Sequence, residues 1–176
     1  MRWRRLDVPG REEALVEQTE GGWRLTGEVE AEEAGVLARL TYVIDCEADW
    51  RTRRAVVTGV ASGAPVRFDF AADGAGRWTL NGAALPLVEG ALDIDLGFTP
   101  ATNLLPIRRL ALAVGARAEV RTAWVRFPEL RVELLEQSYE RESERVFRYD
   151  ALVDGERFRA RLDTDAYGRV VSYEGL

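Results

Sequence analysis

The chain has no lysine and no histidine; all 24 of its basic residues are arginine. Without histidine there is no Ser-His-Asp triad, no Cys-His dyad and no imidazole metal ligand. Without lysine there is no Schiff base and no P-loop lysine. General acid/base work would fall to Asp, Glu, Tyr or the one cysteine. A single cysteine cannot form an intrachain disulfide, and Cys46 sits in Ile44-Asp-Cys-Glu47 with no second Cys or His beside it, so it reads as a small strand residue. Metal-ligand clusters, Gly-rich phosphate loops and nucleophile elbows are also missing. No metal, no cofactor and no catalytic residue is therefore expected, and most enzyme classes lose support.

Long apolar runs are missing too. None approaches the ~18 residues of a membrane span, so no integral membrane segment is expected. The start, Met1-Arg-Trp-Arg-Arg5, continues into charged residues and not into an apolar signal region. A cytoplasmic location is the expectation. A formal net charge of −6 argues against nucleic acid or an anionic membrane surface as a partner.

What is present is a globular chain. Hydrophobic residues make up 47%, too many for disorder, and 176 residues fit one domain spanning 1–176. Period-two alternation prevails. Leu40, Tyr42 and Ile44 alternate with Thr41, Val43 and Asp45, and Phe158, Ala160 and Leu162 alternate with Arg157, Arg159 and Arg161. Turn signals recur at short spacing: Gly21-Gly22, Asp73-Gly-Ala-Gly76, Asn81-Gly82, Asp154-Gly155 and Asp165-Ala-Tyr-Gly168. The segments 11–18 and 28–37 could make short helices, but both carry strand-compatible alternation. Pro106 and the alternation of 104–114 favour strand there as well. The predicted fold is all-β: about ten to thirteen short antiparallel strands in one strongly curved sheet, half-barrel, roll or barrel, enclosing a cavity unless large side chains fill it.

The segment Asp93-Ile-Asp-Leu-Gly-Phe-Thr-Pro-Ala-Thr-Asn-Leu-Leu-Pro-Ile-Arg-Arg-Leu110 sets acids, hydroxyls, an amide and two arginines between apolar runs. Buried polar groups without partners cost about 1–3 kcal/mol each, so these satisfy one another or wait for a ligand. Asp93 and Asp95 share a strand face, about 7 Å apart, a spacing open to paired-carboxylate chemistry and equally to neutralisation by Arg108 or Arg109. Read as a strand, the segment puts Arg109 beside small alanines as a cavity wall and Arg108 beside large aliphatics as the ion-pair partner of Asp93 or Asp95. Thr99, Thr102 and Asn103 either satisfy their own loop or meet a head group.

Two further clusters stand out. Trp50-Arg-Thr-Arg-Arg54 opens a strand with Arg51 and Arg53 on the face of Ala55 and Val57. That pair either clamps an anion or sugar hydroxyls at a cavity mouth or makes cross-strand ion pairs. Thr122, Trp124 and Arg126 share one face, opposite Ala123, Val125 and Phe127, and the Trp-x-Arg spacing invites a cation–π contact. Gln137 and Tyr139, with Tyr149, place a few polar handles among apolar residues, as in a pocket or an ordinary core.

These strings together resemble the putative glycolipid-binding protein family, a bacterial group of unknown function. The resemblance runs nearly full length. It is carried by Trp3-Arg-Arg-Leu-Asp-Val-Pro-Gly10, Asp49-Trp-Arg-Thr-Arg-Arg54, Gly76-Arg-Trp78, the central 93–103 string with Leu105-Pro-Ile-Arg-Arg-Leu110, Ala123-Trp-Val-Arg-Phe-Pro128, Glu136-Gln-Ser-Tyr139 and Asp165-Ala-Tyr-Gly-Arg-Val170 with Tyr173. It implies a curved antiparallel sheet around a cavity, similar in shape to bacterial lipid carriers. The expected partner is then a small amphiphile, a glycolipid or fatty-acyl compound, held by Trp50, Arg51, Arg53, Asp95, Thr102, Asn103, Arg108, Arg109, Trp124, Arg126, Gln137, Tyr139 and Tyr149. Two other readings stand beside it: an enzyme acting on a sugar or lipid with a carboxylate in the cavity, and a protein-interaction domain with a filled core.

Overall fold

The computed structural model describes residues 1–4 and 10–174; most of the opening Trp3–Gly10 string lies outside them. Strands β1 (Arg2–Arg4), β2 (Gly10–Thr19), β3 (Gly22–Glu33), β4 (Val36–Glu47), β5 (Thr52–Ala61), β6 (Ala64–Ala72), β7 (Trp78–Leu80) and β8 (Ala83–Ala84) form an antiparallel meander in that order. Strands β9 (Asp93–Leu96), β10 (Arg117–Arg126), β11 (Arg131–Ser143), β12 (Val146–Val153), β13 (Glu156–Thr164) and β14 (Val170–Tyr173) form a second sheet, ordered β14-β13-β12-β11-β10-β9. The fold is all-β and strongly curved, as expected, but divided between two curled sheets; one makes a half-barrel and neither closes into a barrel.

The turn chemistry explains the meander. Asn81 and Gly82 at φ 50° and 83°, and Asp154 and Gly155 at 53° and 81°, supply the paired positive φ of tight hairpins. Segment 11–18 is strand throughout, and 28–37 is the end of β3 and the start of β4 joined by the Ala34-Gly35 turn. β9 is the exception to antiparallel order: it pairs parallel to β10 with Thr122 opposite Asp93 and Val125 opposite Leu96. Parallel neighbours need a long crossover, and residues 97–116 provide it.

That crossover holds the main correction to the sequence reading. It contains a 3-10 turn (Pro100–Asn103) running directly into α1 (Leu104–Leu110), where a strand was expected. Pro106 does not forbid the helix because it falls in the first turn, where its missing N–H has no intrahelical partner to lose. Thr99 caps the 3-10 turn, its Oγ1 accepting from Ala101 N at 2.9 Å, with Pro100 next in line. Ala111 ends α1 in the left-handed region, and Arg108 and Arg109 sit in the last turn, where the helix dipole favours cations.

The helix divides two apolar clusters. The larger joins the inner face of the first sheet (Leu25, Leu40, Tyr42, Ile44, Val57, Phe70) to Ile94, Leu96, Phe98, Leu104, Leu105, Ala123, Val125 and Phe127. The smaller fills the concavity of the second sheet with Ile107, Leu135, Tyr139, Phe147, Tyr149, Ala160 and Leu162. Thr52 ties the sheets together: it is 0% exposed, its backbone N–H donates to Leu92 O at 3.0 Å, and its Oγ1 accepts from Ile94 N at 3.1 Å.

Candidate functional site

The second sheet is not filled to its mouth. A cleft of about 390 Å³ lies between its concave face and the ends of β2 and β3, with the 97–103 connector as floor. That volume is at the small end of the range for ligand sites. Trp124, Leu135, Tyr149, Phe158 and Tyr173 line one side, and Glu12, Asp95, Thr99 and Asn103 the other.

Asp93 and Asp95 do leave one face of β9, while Ile94 and Leu96 enter the larger core. Their surroundings differ. Asp93 is 0% exposed and held bidentately by Arg109, with Nε to Oδ1 at 3.0 Å and Nη2 to Oδ2 at 2.6 Å. Burial pushes its carboxyl upward, and the guanidinium pulls against that shift. Asp95 opens on the cleft. Thr102 Oγ1 donates to its Oδ1 at a weak 3.5 Å, and Gln137 Nε2 donates to its Oδ2. Burial raises this carboxyl to about 6, the two hydrogen bonds opposing and the Asp93 charge adding to the shift.

Behind Asp95 the polar groups are mutually satisfied. Tyr139 Oη donates to Asn103 Oδ1 at 2.7 Å, and Asn103 Nδ2 donates to Pro100 O at 3.0 Å. Across the floor, buried Glu12 accepts from Tyr42 Oη at 2.5 Å and from Thr99 Oγ1 at 2.7 Å. Burial raises Glu12 as well, with those two hydrogen bonds opposing.

The aromatic wall centres on Tyr149, whose ring lies 5.3 Å from Tyr139, 6.1 Å from Phe158 and 6.3 Å from Tyr173. Tyr149 is only 5% exposed, yet among the described residues its hydroxyl has no hydrogen-bond partner; nor have the Tyr173 hydroxyl and the Trp124 indole N–H. Burial, and then the Asp95 charge, raises both Tyr149 and Tyr173. A buried hydroxyl left unpaired costs about 1–3 kcal/mol, so this wall carries unused hydrogen-bonding capacity.

Of the residues singled out from sequence, Asp95, Asn103, Trp124 and Tyr149 line the cleft, and Thr102, Gln137 and Tyr139 stand directly behind it. The arginines lie elsewhere. Arg51 pairs with Asp49 and donates to Gly74 O at 2.8 Å, beside a separate surface depression. Arg53 is exposed because the β4–β5 register slips between Asp45 and Cys46: Arg54 opposes Asp45 and Thr52 opposes Cys46, leaving Arg53 as the extra residue. The bulge overturns the simple parity that put Arg51 and Arg53 with Ala55; Thr52 takes the buried side. Trp50 is buried at φ 72°, stacked on Trp23 at 4.6 Å and covered by the Arg108 guanidinium at 5.3 Å. Helix periodicity replaces strand parity, so both expected roles fail: Arg109, not Arg108, pairs with Asp93, and Arg108 lies on the surface and lines no cavity wall. Arg126 reaches over Trp124 at 5.4 Å, while its nitrogens pair with Asp154, Glu129 and Glu133.

Glu12, Phe158 and Tyr173 line the cleft but were not among the ligand-binding residues expected from sequence. Glu12 shares strand parity with buried Ala14, a signal that was present in Arg11-Glu-Glu-Ala14. The placement of β14, and with it Tyr173, depends on long-range pairing. Cys46 is buried, its thiol pushed up to about 12 chiefly by that burial, which leaves it a packing residue. Among the described residues, no group of three acidic or thiol side chains could hold a metal, and no helix is long and apolar enough to cross a membrane.

A family profile described as "Putative glycolipid-binding" matches residues 1–176. The crystal structure of a DUF1089 family protein from Pseudomonas aeruginosa is similar to this chain, with a TM-score of 0.81 and 33% identity over 99% of this chain and 93% of that one. No curated protein matches the chain.

Proposed function

The chain belongs to the putative glycolipid-binding family, and from that premise we propose that it binds a small amphiphile in the cleft without transforming it. The observation that carries the reading is the Tyr149 hydroxyl, buried, unpaired among the described residues and set in the same cleft as Asp95. Sugar rings offer hydroxyls that both donate and accept, and C–H faces that lie on aromatic rings. Tyr149, Tyr173 and Trp124 supply donors, Asp95 supplies an acceptor, and Phe158 supplies an apolar face. The cleft holds a head group and a short length of chain, with the rest of the tail leaving past exposed Phe158 and Val171. Each buried methylene contributes about 0.8 kcal/mol before association costs.

Mass spectrometry of an organic-solvent extract of the purified protein, beside a mock purification, tests this. A stoichiometric glycolipid or acyl compound supports the reading. An extract equal to the mock, together with no uptake of an added alkyl glycoside, contradicts it.

One observation favours a second reading. A carboxyl near 6 in a cleft is what acid/base chemistry on a bound head group needs. Its expected partner Asp93 is held by Arg109, and Glu12 by Tyr42 and Thr99, so two-carboxylate chemistry lacks its second free group. Release of aryl alcohol from aryl glycosides, abolished by Asp95→Asn, would move the assignment to an enzyme. The cleft weighs against the third reading, an interaction domain with a filled core.

A further inference from the structure

We infer that the cleft selects a head group bearing no negative charge, and that Asp95 is the residue that imposes the selection. The inference rests on the amphiphile reading above and goes further by fixing the charge class of the head group.

Among the described residues, the charged groups on the cleft wall are Glu12, Glu30, Glu33 and Asp95 against Arg11 alone, and Glu33 has a partner of its own. Arg11 is not free for an anion, because its Nη2 sits on Glu30 Oε1 at 3.0 Å and Arg39 adds to the same carboxylate at 3.7 Å. Of the arginines expected to clamp an anion, Arg51 is committed to Asp49, Arg109 to Asp93 and Arg126 to Asp154, and neither Arg53 nor Arg108 lines the cleft. What remains for a ligand is a set of neutral donors, namely the Tyr149 and Tyr173 hydroxyls and the Trp124 N–H, beside an acceptor carboxylate. Neutral hydroxyls satisfy such a set. An anion placed there would be desolvated next to Asp95 with no free cation among the described residues to pair with, and uncompensated like charges reject a ligand more strongly than a missing contact does. Asp95 is the acid best placed to do this, since Glu12 lies behind Tyr42 and Thr99 and Glu30 is neutralised at the rim.

The test compares two amphiphiles that share chain and ring: dodecyl β-D-glucoside and dodecyl β-D-glucuronide, the second carrying a carboxylate in place of the primary alcohol. Titration calorimetry at pH 7.5, below micelle formation, should show the glucoside binding at least ~10-fold more tightly. In Asp95→Asn that ratio should fall toward one through a gain for the glucuronide. Should that variant not fold, the wild type at pH 5 serves instead, where protonated Asp95 should shrink the ratio. A glucuronide bound as tightly as the glucoside overturns the inference and leaves the amphiphile reading standing. A ratio unchanged by both Asp95→Asn and low pH overturns the role of Asp95. Failure of both compounds to bind overturns the reading beneath.

Discussion

Asp93 and Asp95 stand two residues apart on one face of β9, and among the described residues only Asp93 has a cation: Arg109 closes on it with Nη2 to Oδ2 at 2.6 Å, while Asp95 faces the cleft on hydrogen bonds from Thr102 and Gln137. One strand thus carries a structural carboxylate and one that a ligand can reach. The predictions below separate the two.

Arg109→Ala should strip the cation from a fully buried carboxylate. Removing one partner of a buried pair costs about 3–5 kcal/mol, so urea denaturation at pH 7 should show a loss of that size. The double variant Arg109→Ala with Asp93→Asn should recover part of it, because the stranded charge is then gone.

Asp95 should make the protein less stable as pH rises. Its folded value, about 6, lies above the ordinary carboxyl value of 3.8. Below 3.8 the group is protonated in both states and costs nothing; between the two values only the unfolded chain ionises; above 6 the penalty is complete. Relative to Asp95→Asn, wild-type stability should therefore fall by ~1–3 kcal/mol between pH 4 and pH 6.5 and then level off. Paired denaturation series check this, and a flat difference would contradict it.

Tyr149 and Tyr139 should respond differently to loss of the hydroxyl. Tyr149→Phe removes a group with no partner among the described residues, so stability should change by less than about 1 kcal/mol or rise, while glucoside affinity falls several-fold. Tyr139→Phe breaks the 2.7 Å bond to Asn103 and should cost ~1–2 kcal/mol by leaving the amide unpaired. Chemical denaturation of both variants with calorimetric titration of the glucoside resolves the two cases.

Gly27 should not accept a side chain. A Cβ there would lie 2.4 Å from the Tyr42 ring, which is buried and anchored on Glu12. Gly27→Ala must displace that ring, and overpacking of this kind costs ~1–3 kcal/mol. A melting temperature equal to the wild type would contradict the packing described for the cleft floor.

Much of this was legible in the sequence, for local reasons. Alternation along Leu40–Asp45 and the Asn81-Gly82 and Asp154-Gly155 turns determine strands and hairpins within a few residues of chain. The shared face of Asp93 and Asp95, and of Trp124 and Arg126, follows from strand period alone. What was not legible depended on position within an element or on distant pairing. Pro106 reads as a helix breaker until Thr99 and Pro100 are seen to start the turn before it, and with the helix went the correct assignment of Arg108 and Arg109. Arg53 reads as inward until one residue of slip between β4 and β5 is known. Glu12 and Asn103 belong to one cleft only because the crossover brings the 97–103 segment beneath β2.

The claim that the cleft is the binding site is tested most directly by mapping amide chemical shifts during titration with dodecyl β-D-glucoside. The account predicts saturable shifts confined to residues 95–103 and to Glu12, Trp124, Tyr149, Phe158 and Tyr173. No shift at any glucoside concentration below micelle formation, or shifts gathered on the outer faces of the sheets, would contradict it.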